Sequence, residues 1–389
     1  MCKSKNKRVV IAMVAGEESG DIIGSDLVRE LKTRVGNIHF MGIGGTRMRQ
    51  LGFESLYDID LLSIRGYVEV LKSLPKLFFL RKTLKKTFIN IKPDLFIGID
   101  APDFNLELER SLKKVGIPTI HYVSPSIWAW RPNRIKKIKE SVELMLTVFP
   151  FEGKIYENNG VPHKFVGHPL ADRLNIESNK NVRRDYLKIA DDVTVVALLP
   201  GSRVHEVVQL GELMIQAACL IKNNFPQTIF LTPIVSKRIK NMFDQLLISY
   251  PELKGSFKLL HGHSDTALAA SDAAIIASGT ATLEASLIGV PMVITYKMPK
   301  LSELIMRSKK TDLRYIGLPN ILRGSYIVPE IILDDATADN LSQAICNILN
   351  DRELQIKLRM EFKKIRESLR CNASIKAADA VMDMLDLKI

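Results

Sequence analysis

The chain has 389 residues, 46% hydrophobic and 25% charged, a balance that excludes a disordered or collagen-like polymer and calls for packed cores. That length suits two domains of about 150 to 200 residues better than one core. Lys and Arg number 55 against 43 Asp and Glu, a formal charge of +12, so the expected partner is anionic: a phosphate, a nucleic acid or an acidic bilayer.

At the start, Lys3, Lys5, Lys7 and Arg8 precede an apolar run over 9–14, an arrangement that imitates a short signal peptide. The run ends in Gly16-Glu17-Glu18-Ser19-Gly20-Asp21 without a small-residue cleavage site, so a first buried strand is expected instead. Apolar, β-branched runs recur at 38–41, 95–99, 119–123 and 144–148, then at 193–199, 228–231, 257–260, 274–277 and 292–295, with amphipathic stretches between them. This alternation predicts parallel sheets with crossover helices, and the two series predict an α/β chain of two doubly wound domains. The boundary is expected around 166–170, giving domains over 1–168 and 169–364. Beyond Asp339 the pattern turns helical, and Asn372 has the chemistry of an N-cap for a last helix over 373–385. No apolar stretch reaches the roughly 18 residues needed to span a bilayer.

In open α/β sheets ligands bind beyond the carboxyl ends of the strands, so the loops that follow the strands carry the candidate chemistry. After the first strand, Glu17, Ser19, Gly20 and Asp21 stand where a substrate would lie, although Asp21 also suits a helix cap. Gly42-Ile43-Gly44-Gly45 is too short for a dinucleotide fingerprint, and no cofactor is expected. The strand over 95–99 ends in Asp100-Ala101-Pro102-Asp103-Phe104-Asn105. Pro102 forces an extended or turning backbone there, so Asp100 is a candidate general base or a turn former. Next comes His121-Tyr122-Val123-Ser124-Pro125-Ser126-Ile127-Trp128-Ala129-Trp130-Arg131, which holds both tryptophans. Ser124, Trp128 and Trp130 either stack on a sugar or acyl chain or plug the core beneath a loop.

In the second domain, Pro200-Gly201-Ser202-Arg203 ends a strand. A glycine that lets the backbone approach, a hydroxyl and a planar guanidinium suit a diphosphate. Ser278-Gly279-Thr280-Ala281-Thr282-Leu283-Glu284 likewise follows a strand and opens a helix whose amides favour anions. A capping box for Glu284 would need Ser or Thr at position 281, which is Ala. Glu284 is therefore a candidate acceptor for ribose hydroxyls. Leu318-Pro319-Asn320 follows Arg307, Lys309, Lys310 and Arg314, a segment that either closes on phosphate or is a solvated loop.

His261 and His263 alternate along a strand with no third ligand nearby, and no H-E-x-x-H, D-x-D or Walker A sequence is present, so no metal is expected. Cys2, Cys219, Cys346 and Cys371 lie far apart, arguing against a zinc ribbon or disulfide framework. Between Arg65 and Lys92 the chain is strongly basic, and after Pro75 the residues Leu77, Leu80, Leu84, Phe88 and Ile91 recur at helical spacing while Lys82, Lys85 and Lys86 lie elsewhere. Such a helix either lies in the interface of an anionic bilayer or buries its stripe in the domain. Nucleic acid is not the expected partner, because no recognition motif accompanies the charge.

Taken in order, Ala15-Gly16-Glu17-x-Ser19-Gly20-Asp21, Gly98 to Asn105, Ser124 to Trp130, Gly167-His168-Pro169-Leu170, Leu199 to Arg203, Ser278 to Glu284 and Leu318-Pro319-Asn320 resemble the lipid-A-disaccharide synthases over nearly the whole chain. Two departures stand out: Glu18 where that family usually has Ala, and a longer spacing between Lys310 and Leu318. The resemblance implies two Rossmann-like domains facing across a cleft (the GT-B arrangement), with the last helix, 365–389, returning to the first domain. It implies a UDP-diacylglucosamine donor, a diacylglucosamine 1-phosphate acceptor and an inverting, metal-independent transfer. Asp100 is then the base with Glu17 orienting, Arg203 and the amides of Gly279 and Thr280 face the diphosphate, and Glu284 holds the ribose. Acylated substrates further imply a cytoplasmic protein peripheral on the inner membrane, with Leu77, Leu80, Lys82, Leu84, Lys85, Lys86 and Phe88 as the membrane contact. A homodimer is compatible with these residues, but none of them demands it. The rival readings are a UDP-N-acetylglucosamine 2-epimerase and a non-catalytic lipid-binding protein.

Overall fold

A computed structural model describes residues 8–62, 67–128, 133–174, 180–298 and 314–386, so Trp130, expected at the substrate site, and the basic residues 307, 309 and 310 lie outside the described residues. The chain divides into two compact units, Met1–Asp172 with Leu369–Ile389, and Arg173–Ser368. Each is built on one parallel sheet.

In the first unit β1 (Val9–Ala15), α1 (Glu18–Arg34), β2 (Ile38–Ile43), α2 (Thr46–Gln50), β3 (Glu54–Tyr57), α3 (Tyr67–Ile91) and β4 (Leu95–Ile99) come in turn. They are followed by α4 (Pro102–Lys113), β5 (Thr119–Tyr122), α5 (Arg134–Ser141), β6 (Leu144–Thr147), α6 (Gly153–Asn158), β7 (His163–Phe165) and α7 (Pro169–Arg173). The strand order is β3-β2-β1-β4-β5-β6-β7. It reverses between β1 and β4, and at such a switch point the loops diverge and leave room for a ligand. β4 is buried along its whole length, which is why its sequence is a continuous apolar run rather than an alternation.

The second unit runs through α8 (Lys180–Tyr186), β8 (Val195–Leu199), α9 (Val204–Asn224), β9 (Ile229–Ile234), α10 (Lys237–Ile248), β10 (Phe257–His261) and α11 (Ser264–Ala270). It continues with β11 (Ala273–Ala277), α12 (Thr280–Ile288), β12 (Met292–Tyr296), α13 (Leu318–Arg323), β13 (Glu330–Ile332), α14 (Ala338–Asn350) and α15 (Arg352–Leu369). Its order is β10-β9-β8-β11-β12-β13, with the switch between β8 and β11. By length and composition α9 is apolar enough to cross a membrane, contrary to the expectation from the sequence. Val207, Leu210, Met214, Ile215 and Ile221 on that helix are nevertheless buried in the core of the second unit, where they have no need of lipid.

The last helix, α16 (Ala373–Met384), packs on α1 in the first unit, burying Ala377, Ala378, Val381 and Met382. Arg34 ties the two helices through an ion pair to Asp379. The N-cap residue Asn372 is left-handed, with φ of 56°, and makes no side-chain cap; the helix start is held instead by Asp172, which accepts from the amides of Asn372 at 3.0 Å and Ala373 at 2.6 Å.

The basic helix needs the largest revision. Leu80, Leu84 and Phe88, expected to face lipid, are buried with Val14, Phe96, Phe104 and Leu108 beneath the sheet, and Leu77 packs against the same cluster. Pro75 falls inside α3 rather than in its first turn. The solvent side of α3 carries Leu74, Phe78 and Phe79, with Phe79 70% exposed, beside exposed Lys82, Lys85 and Lys86.

Asp172→Ala deprives α16 of its cap and is expected to lower stability by about 1 to 2 kcal/mol, the usual cost of losing an N-cap carboxylate. Urea denaturation checks this, and an unchanged midpoint would contradict the assignment.

Candidate active site

In the first unit the ends of β1 and β4 approach closely. A Cβ on Gly16 would lie 2.3 Å from that of Ala101, so glycine is required for the β1 and β4 turns to meet. Glu17 and Ser19 are exposed at the end of β1 while Gly20 is buried. Asp21 is only 4% exposed, and its oxygens accept from the amides of Gly45, Arg47 and Met48. It therefore caps α2 and is not available to a substrate, which corrects the expectation for that residue.

Asp100 and Ala101 are both left-handed, with φ of 53° and 44°, at a cost on the order of 1 kcal/mol each for residues with a Cβ. The turn is held nonetheless. The amide of Asp100 donates to the carbonyl of Tyr122, and the carbonyl of Ala101 accepts from the amides of Phe104 and Asn105. Buried Asn105, unrecognised from sequence as a site residue, donates its side-chain amide to the carbonyls of Asp100 at 2.8 Å and Val14 at 3.2 Å. The result is a half-buried carboxylate presented from a strand end beside exposed Glu17 and Ser19.

The segment after β5 behaves as a core plug. Ser124 is buried, and its hydroxyl lies 2.6 Å from that of Tyr156. Trp128 packs edge-on to Phe151, which stacks on Phe149. Ser124 thus has the Tyr156 hydroxyl as an interior partner, and half-buried Trp128 has the ring of Phe151. Glu152, missed from sequence, sits beneath them and accepts from the amides of Val148 and Phe149. Burial pushes its carboxyl up to about 7, opposed by those amides and by the neighbouring Ser124 and Trp128. His168 nearby is pushed down to about 4 by burial.

In the second unit, Gly201 has φ of 114°, and a Cβ there would strike Glu206. Glu206, another residue missed from sequence, accepts from the amides of Ser202 and Arg203 and from the Arg203 guanidinium. The Arg203 side chain is 61% exposed, and an exposed ion pair of this kind contributes about 0 to 1 kcal/mol. A doubly charged phosphate displaces such a partner readily.

Gly279 and Thr280 are exposed at the start of α12, where no side chain caps the first amides. Ala281 is half-buried in the same turn, and Ser278 donates to the carbonyl of Ile316, fixing the loop. Uncapped amides at a helix start are groups that favour an anion. Glu284 accepts from the Ser264 hydroxyl at 3.0 Å and 3.1 Å. Burial raises its carboxyl, Asp265 adds to the rise and Ser264 opposes it. Asn320 is fully buried: its carbonyl oxygen accepts from Ile327 and Val328, and its amide donates to Val328 and Glu330. Its hydrogen-bonding capacity staples a loop, so the expectation that it binds substrate is corrected too. Among the described residues no group of three His, Cys, Asp or Glu is placed to hold a metal ion.

Residues 11–383 match the Lipid-A-disaccharide synthetase family. The chain belongs to that family. A lipid-A-disaccharide synthase of Methylobacillus flagellatus is 47% identical over 375 residues, covering 96% of this chain and 99% of the relative. That of Dechloromonas aromatica is 44% identical over 379 residues, covering 97% and 99%. Among solved structures, a UDP-GlcNAc 2-epimerase of Neisseria meningitidis matches with a TM-score of 0.66 at 12% identity, covering 97% of this chain and 100% of that one. A glycosyltransferase of Rickettsia africae matches at 0.59 and 12%, covering 98% and 100%. These two likenesses bear on fold alone, and they place the chain in the two-domain, doubly wound GT-B class.

Glu152 sets a stability signature. Its carboxyl is raised in the folded protein above its ordinary 4.5, so the folded state keeps a proton that the unfolded chain has already lost. Stability from this group is fully present below about pH 4.5 and declines as pH rises to about 7. His168 acts oppositely below pH 6.5, so a matched variant is needed to isolate Glu152. Glu152→Gln should remove a decline of about 2 to 3 kcal/mol between pH 5 and pH 8 in urea denaturation. A parental decline that persists in the variant would contradict this.

Proposed function

We propose that this chain transfers diacylglucosamine from UDP-2,3-diacylglucosamine to the 6-hydroxyl of 2,3-diacylglucosamine 1-phosphate, giving a β-1,6-linked disaccharide 1-phosphate and UDP. The family match over residues 11–383 carries this reading. Asp100 takes the proton of the attacking hydroxyl, and attack on the anomeric carbon inverts its configuration. A carboxylate on a strand-end turn rigid enough to tolerate two left-handed residues suits that task. Exposed Glu17 and Ser19 orient the acceptor beside it. Arg203 leaves Glu206 for the diphosphate, the first amides of α12 meet its developing negative charge, and Glu284, steadied by Ser264, accepts from the ribose hydroxyls.

Both substrates are acylated, and the exposed face of α3 suits the place where they reside. Phe78, Phe79 and Leu74 supply apolar insertion while Lys82, Lys85 and Lys86 meet lipid phosphates. The protein is cytoplasmic in this reading and binds the inner-membrane surface peripherally.

Asp100→Asn should lower kcat by about 100-fold or more, general-base catalysis being worth roughly that much, while UDP affinity by calorimetry stays within a factor of about two, because the nucleotide is held by the other unit. Near-parental turnover would remove Asp100 from the mechanism. Phe78→Ser with Phe79→Ser should reduce co-sedimentation with phosphatidylglycerol vesicles at unchanged thermal midpoint. Undiminished sedimentation would refute the α3 contact.

A further inference from the structure

Beneath β4 lies a file of buried polar side chains that the transfer reaction does not itself require. Asn105 and Glu109 stand one helical turn apart on α4, and Glu109 Oε1 lies 2.7 Å from Nδ1 of His121 on β5, both side chains being fully buried. Gly98, whose partner across the sheet is His121, makes space for the file. A Cβ on Gly98 would come within 2.1 Å of Glu109 Oε1 and 2.9 Å of the Asn105 Cβ. Three polar groups have therefore been brought into the interior of an apolar layer, where an unneeded polar group is normally replaced by an aliphatic one. The end of the file nearest the strand terminus is Asn105, whose amide grips the carbonyls of Asp100 and Val14. Those carbonyls belong to β4's turn and to β1, the two strands whose ends carry Asp100 and Glu17.

We infer that Asn105, held in place by the buried Glu109–His121 pair, is a positioning residue that fixes the left-handed turn at Asp100 and thereby aims its carboxylate at the acceptor hydroxyl. The chemistry of each member fits. The shortest bond of the Asn105 amide, 2.8 Å, goes to the carbonyl of the left-handed Asp100. The acid–imidazole contact pins α4 to β5 across Gly98, so the amide cannot drift along the strand end. Burial also holds the Glu109 carboxyl above the usual carboxylate range, against the influence of His121. The inference rests on Asp100 being the base.

A double-mutant cycle tests it with the full chain, reading kcat and KM for the UDP-diacylglucosamine donor in detergent, with thermal midpoints alongside. Asn105→Ala should lower kcat by about 10- to 100-fold, the scale of loss that follows a misplacement near 1 Å, with the donor KM within about twofold. In the Asp100→Asn background the same change should cost less than about twofold, because its effect runs through the Asp100 carboxylate. Asn105→Asp, isosteric but unable to donate, should follow Asn105→Ala and serves if the alanine variant does not fold. Glu109→Gln, which can still meet His121, should keep most of kcat, whereas Glu109→Leu should fall with Asn105→Ala. Equal losses from Asn105→Ala in both backgrounds, or equal losses from the two Glu109 variants, would overturn the inference. Full activity in Asp100→Asn alone would instead overturn the base assignment beneath it, an outcome separable from the other two.

Discussion

The backbone turn that ends β4 is the constraint on which the proposed role of Asp100 depends. Two consecutive residues with a Cβ adopt left-handed conformations there, and they persist only because the surroundings over-determine them. Tyr122 accepts the Asp100 amide, Asn105 grips its carbonyl, and Gly16 yields space to Ala101. A carboxylate fixed in this way has little freedom to relax away from a substrate, which is what positioned acid–base catalysis requires. The same turn joins the ends of β1 and β4 at the switch point of the sheet, so Glu17 and Asp100 are neighbours by topology.

The second unit is organised around how its loops satisfy polar groups. Asn320 and Glu330 are tied into each other and the surrounding backbone, giving a rigid support behind Ser278. Arg203 is different: its partner Glu206 is close in sequence and its guanidinium stays largely in solvent, so the ion pair that engages it is weak. At the start of α12 the amides lack a side-chain cap, leaving the dipole end available to an anion. One loop is thus a scaffold, and the others are receptive.

The fold was legible because parallel strands buried on both faces read as apolar runs, and helices between them read as amphipathic stretches. Strand-end loops were legible for the same reason: the sheet's direction tells which loop follows which strand. What sequence did not convey was the partner of each polar side chain. Asp21, Ser124 and Asn320 have the composition of ligands but are bonded internally by groups 24 to 32 residues away or by a following loop. Glu152 and Glu206 carry no capping-box signal, because Phe149 and Arg203 stand three residues earlier where Ser or Thr would be needed. On α3 the periodic stripe correctly marked an amphipathic helix, but periodicity cannot say whether protein or lipid covers that stripe. Burial of Leu84 and Phe88 settles it in favour of the core and moves attention to Phe78 and Phe79, which lie off the pattern.

The proposed glycosyl transfer joins two acylated glucosamines, in a fold shared with UDP-GlcNAc 2-epimerases. Its most direct measurement is incubation of the protein in detergent with UDP-2,3-diacylglucosamine and 2,3-diacylglucosamine 1-phosphate, with products identified by mass, beside a parallel reaction on UDP-GlcNAc alone. A disaccharide monophosphate and one UDP per linkage are expected in the first reaction and no epimer in the second. An epimer of UDP-GlcNAc with no disaccharide in any detergent would contradict it.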